Sequence, residues 1–188
     1  MVNFGGTGVM VLGAVVAGLL LGLVALVAAR RSGPVAAYAS AGLVWTLVVI
    51  GLVTLVPASG PPGYLMPDEV QTVCSFDYGG PAPDGFWIFS GGQRLLNTAL
   101  FVPSGALVVV VAARWRAGWV LAPLGVGLLA AYSVAIEATQ LALARIDRAC
   151  DITDVVDNVT GAGIGFAIGL VLVVLLRPWR ERAPRAMS

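Results

Sequence analysis

Apolar residues in this chain come in long unbroken runs, not in alternation. Five runs stand out: Val9–Ala29, Val35–Val56, Leu95–Ala113, Trp119–Leu143 and Val155–Leu176. Each is near the length of about 20 residues needed to cross a hydrocarbon core of about 30 Å. Inside hydrocarbon every backbone N–H and C=O must find its partner within the segment, which a helix provides. The pattern therefore predicts an all-α, polytopic membrane bundle of five transmembrane helices in one domain, residues 1–188. The first run holds no polar side chain, and its first basic residues, Arg30 and Arg31, follow it. A signal peptide is basic before its apolar stretch, so this run is expected to persist as a helix.

Composition agrees with that class. Hydrophobic residues make up 59% of the chain and charged ones 11%, against about a quarter charged in ordinary soluble domains. The chain contains no His and no Lys. His-based triads, His metal ligands and Schiff-base lysines are thereby excluded, and no nucleic-acid partner is expected.

Arginine placement orients the bundle. Arg30 and Arg31 follow the first span, Arg114 and Arg116 the third, and Arg177, Arg180, Arg182 and Arg185 the fifth. An odd number of spans puts all of these on one side, with only Arg94, Arg145 and Arg148 opposite. Basic residues favour the cytoplasmic side, so the N-terminus is predicted outside and the C-terminus inside. Trp115, Trp119 and Trp179 then sit near cytoplasmic span ends, as interfacial aromatics do. Reporter fusions at Ser32 and Ser188 should both read cytoplasmic; exterior-type activity from either would overturn the five-span topology.

The outer side then carries two connections. Residues 57–92 are rich in Pro and Gly and acidic through Asp68, Glu69, Asp77 and Asp84. So long a loop without periodicity reads as a mobile connection or as a lid. Residues 144–154 form a short, densely charged one. Each holds one cysteine, Cys74 and Cys150. An even count in an oxidising compartment predicts a disulfide between them.

Polar residues inside the spans are few, and ionisable groups there are costly enough to mark function. Arg94, Asn97 and Phe101 share one face of the third helix, above Pro103. Asn97 alone reads as an interhelical hydrogen bond beside a kink. Glu137 and Gln140 share a face of the fourth helix, with Glu137 about 9–10 Å below its outer end. Arg148 and Arg94 are the cations nearest to it in depth, and an ion pair that locks helices is the structural alternative to a site. Asp151 and Asp154 resemble a helix N-cap with an acidic third position, and Asp154 and Asp157 complement the helix dipole. Asn158 is expected on one face with Asp154, Gly161, Gly165 and Gly169, a small-residue stripe suited to close helix packing. The candidate binding set is Asn97, Glu137, Gln140, Arg148, Asp151, Asp154 and Asn158, expected to meet near the outer membrane face. Glu137 and Asp154 are the candidates for any catalysis.

The series Asn97-x-x-x-Phe101-x-Pro103-x-Gly105, then Glu137-x-x-Gln140, then Arg148-x-x-Asp151-x-x-Asp154-x-x-x-Asn158-x-x-Gly161-x-x-x-Gly165 resembles the VanZ-like family of bacterial membrane proteins. The resemblance covers residues 94–176; the first two spans and the outer loop share only its general character. It implies a multi-pass protein of the cell membrane, associated with resistance to glycopeptide antibiotics of the teicoplanin type. It supplies no biochemical activity. Two function classes follow. In one, an outer polar pocket binds the headgroup of a membrane lipid or a cell-wall precursor, or the glycopeptide, and supports resistance or envelope homeostasis. In the other, a membrane-embedded enzyme acts on such a headgroup, with Glu137 as general base and Arg148 as phosphate clamp. No cofactor is identified; carboxylates without His would suit a hard divalent cation. Against an enzyme stands the lack of a nucleophile with a base near it in sequence. A transporter would place its site at the midplane between repeats, and no internal repeat is visible.

Overall fold

The computed structural model describes residues 6–56, 72–76, 92–143 and 150–182. Five helices follow in order: α1 Thr7–Ser32, α2 Pro34–Leu55, α3 Gly92–Ala112, α4 Gly118–Leu143 and α5 Ile152–Leu176. A short 3-10 turn, Pro178–Arg182, closes the described chain. All five helices are long and apolar enough to cross a membrane. Each begins one to three residues before the apolar stretch that predicts it, and α2 and α3 stop one residue short of theirs.

Local chemistry sets the helix ends. Gly33 takes a positive φ of 87° and turns the chain from α1 into α2, with Pro34 at the first helical position, where its missing N–H costs nothing. Asp151 caps α5 in extended conformation, its carboxylate accepting from the Thr153 N–H at 2.8 Å. At the other end of α5, Arg177 is left-handed (φ 49°) and its N–H reaches the Val173 carbonyl.

α3 is the centre of the bundle. It packs most extensively on α5, and also on α2 and α4. The α3–α5 contact is backbone on backbone. A Cβ added at Gly161 would meet the Thr98 carbonyl oxygen, one at Gly165 the Val102 oxygen, and one at Gly105 the Ala162 oxygen. Only glycine permits this approach, as in small-residue membrane packing generally. Ile50, Phe101, Val108, Leu129, Ile136 and Ala162 fill the space between α2, α3, α4 and α5. One polar relay crosses that core: Ser104 donates to the Thr46 hydroxyl at 2.9 Å, and Thr46 donates to the Leu43 carbonyl.

α1 stands at the edge and packs chiefly on α2. The Trp45 indole donates to the Ala14 carbonyl at 2.8 Å, and its ring lies over Gly18. Leu12, Leu19, Leu20 and Leu23 point outward, a surface suited to lipid tails.

Candidate functional site

Polar side chains collect at one end of the bundle, where α3 and α5 begin and α2 and α4 finish. The strongest contact there joins α3 to α5. Arg94 forks onto Asp157, with Nε to Oδ2 at 2.9 Å and Nη2 to Oδ1 at 2.8 Å. Asp157 is fully buried and Arg94 nearly so. A planar guanidinium meets both carboxylate oxygens at once, the geometry that makes such pairs strong and orientation-specific. By sequence, Arg94 is, with Arg148, one of two cations near Glu137 in depth, and Asp157 complements the helix dipole. The structure pairs Arg94 with Asp157. A signal for this does exist: Asp157, Gly161, Gly165 and Gly169 form a strict four-residue row, so Asp157 heads the face that lies on α3.

Asn158 departs from the expected stripe. Its Nδ2 donates to the Ser133 hydroxyl of α4 at 2.9 Å, so it faces α4 while the glycines face α3. Ser133 is fully buried and begins a row on α4 with Glu137 and Gln140, spaced as one helical face. Glu137 is buried, and its Oε2 accepts the backbone N–H of Asp151 at 3.0 Å. Gln140 donates through Nε2 to the Thr54 carbonyl at 3.0 Å. Thr54 lies in the last turn of α2, whose terminal carbonyls have no partner within the helix. Three consecutive members of one face thus bind α5, the lead into α5, and the end of α2.

The remaining candidates divide. Asp151 serves as the N-cap of α5, as the sequence predicts. Asp154 lies in the first turn, partly exposed. Asn97 is half-buried on α3, next to the buried Thr98. Arg148 lies outside the described residues. Three buried polar atoms have no hydrogen-bond partner among the described residues: Asn97 Nδ2, Thr98 Oγ1 and Gln140 Oε1. Such atoms cost free energy unless something completes them. No three Asp, Glu, Cys or His side chains gather among the described residues as they would around a metal ion.

The loop segment 72–76 fastens onto this end. Cys74 and Cys150 form a disulfide, Cα to Cα 4.7 Å, across 76 positions of sequence. Beside it, Ser75 and Asp151 make an isolated parallel bridge. The Ser75 N–H donates to the Cys150 carbonyl, and the Ile152 N–H to the Ser75 carbonyl, both at 3.0 Å. Asp151 is thus held from two sides, by Ser75 through its flanking residues and by Glu137 directly. Loop-closure entropy for a ring of this size is worth up to roughly 4–5 kcal/mol. Replacing both cysteines with serine should therefore lower the unfolding temperature in detergent by several degrees. An unchanged transition would show that the bridge adds nothing to the helices.

No curated protein and no solved structure matches the chain. The family model described as VanZ/LLP1 matches residues 17–175, reaching from within α1 almost to the end of α5 and so well beyond the stretch 94–176 that carries the motif. The chain belongs to the VanZ/LLP1 family.

Proposed function

We propose that this protein of the cell membrane binds the headgroup of a lipid or cell-wall precursor at the polar end of its bundle, and through that binding supports resistance to glycopeptide antibiotics of the teicoplanin type or envelope homeostasis. The observation that carries the reading is the unspent hydrogen-bonding capacity there. Asn97, Thr98 and Gln140 each bury a polar atom without a partner among the described residues. A scaffold that needed polar groups only to join its helices would use them up. Here Arg94, Asp157, Asn158 and Ser133 already join α3, α4 and α5. The left-over donors and acceptors, with the Glu137 carboxylate in the same region, suit a ligand that both gives and takes hydrogen bonds, as phosphate esters and sugar or peptide headgroups do. Asp151, Asp154 and, from the adjoining connection, Arg148 complete the proposed binding set.

Glu137→Gln tests this. Glutamine keeps an oxygen for the Asp151 N–H and removes the charge. The expected result is near-normal protein in the membrane, loss of the resistance phenotype, and loss of a co-purifying lipid species by mass spectrometry. Protein that falls in amount together with the phenotype would assign Glu137 a structural role alone. Chemical conversion of the bound species by the wild type, absent from the variant, would turn the reading to catalysis with Glu137 as general base.

A further inference from the structure

A second feature lies toward the opposite end of the bundle. Between α2, α3 and α4 runs an apolar groove of about 380 Å³, within the range of about 300–1,000 Å³ typical of small-molecule sites. Leu43, Leu47, Val108, Val111, Leu121 and Leu129 form its walls. Tyr132 closes one end, its hydroxyl occupied by the Leu47 carbonyl at 2.9 Å. Trp115 stands at the other end, in the turn between α3 and α4.

We infer that this groove holds one acyl chain of an anionic phospholipid, whose phosphate rests on Arg114 and Arg116. Dimensions and charge carry the inference. From Leu121 to Tyr132 the groove extends about 16 Å along α4 at 1.5 Å per residue, close to half of a hydrocarbon core of about 30 Å. It therefore has the depth of one leaflet. Its mouth is basic. The Arg114 guanidinium lies 5.9 Å from the Trp115 ring centroid, and Arg116 follows, exposed. Neither forms an ion pair among the described residues. A tryptophan at the end of a span, with two arginines beside it in sequence, matches a negatively charged headgroup above an apolar groove.

The test uses full-length protein in vesicles of phosphatidylglycerol and phosphatidylcholine in equal parts, extracted gently and weighed by native mass spectrometry. Wild type should retain one phosphatidylglycerol per chain in preference to phosphatidylcholine. Arg114→Gln with Arg116→Gln, the first half-buried and the second exposed, should reduce that preference by up to about thirtyfold, since each basic residue near a charged headgroup contributes roughly fivefold. Val111→Trp, which fills the groove, should reduce retention of both lipids. Equal retention of the two lipids by wild type overturns the proposal, as does a double glutamine variant that keeps the preference. Should Val111→Trp fail to fold, the arginine pair decides alone. Cross-links from Leu128 to a second copy would assign the groove to self-association instead.

Discussion

Replacing Gly161 with alanine should loosen α3 from α5, while the same change two residues later should not. A Cβ at Gly161 would press on the Thr98 carbonyl oxygen and stand 2.9 Å from the carbonyl carbon. The obstacle is backbone, so no side chain can turn aside. Gly165 meets Val102 and Ala106 in the same way, and Gly105 returns the contact onto Ala162, so the two helices cannot slide apart at one point without losing the others. Overpacking of this kind costs about 1–3 kcal/mol and occasionally more, against a gain of up to about 1 kcal/mol in helix propensity. Gly163 lies on the same helix with nothing within 4 Å of an added Cβ, so Gly163→Ala should be neutral or slightly stabilising. Unfolding temperatures in detergent would compare them. Equal effects at Gly161 and Gly163 would show that the close approach of α3 and α5 carries no weight.

The Arg94–Asp157 pair should respond even more sharply to single substitutions. Arg94→Gln leaves a fully buried carboxylate without this cation, and Asp157→Asn takes from a buried guanidinium the carboxylate onto which it forks. Breaking a buried pair from one side typically costs about 3–5 kcal/mol, whereas removing both charges is far milder. The double variant should therefore be more stable than either single one, a coupling that a double-mutant cycle measures directly. Strictly additive losses would falsify the pair as an energetic unit. The same cycle bears on the proposed function. Variants that lose Arg94 or Asp157 should lose protein, whereas Glu137→Gln should lose phenotype at nearly constant protein.

The spans were legible because hydropathy and length constrain a membrane helix before any tertiary contact exists. The cap at Asp151 was legible for a similar local reason, since its acceptor serves an N–H two residues on. Depth along a helix could also be read, which is why Glu137, Gln140 and Asn158 fall at the same end as expected. Rotation about the helix axis was not so easily read. Asp157 and Asn158 are neighbours in sequence yet face different helices, one α3 and the other α4. The charges of Arg94 and Glu137 lie at similar depth, so depth alone does not say which carboxylate the arginine chooses. The glycine row settles that choice once α3 is known to lie against it, and Gly105 on α3 is the complementary mark. Ser133 reads in the sequence only as a hydroxyl without a base, and Thr98 carries no pattern at all; each acquires meaning only from what faces it.

The bond between Cys74 and Cys150 imposes an order in time. Cys74 precedes α3, and Cys150 follows α4. At about 5–20 residues per second of synthesis, Cys74 waits several seconds as a free thiol before its partner leaves the ribosome. Two further helices must be threaded through the bilayer in the right directions before both sulfurs reach the same aqueous compartment. Oxidation of this one pair is therefore a record that α3 and α4 have been inserted together, whatever the state of α5. A chain that stalls or inverts between α2 and α4 keeps both thiols reduced.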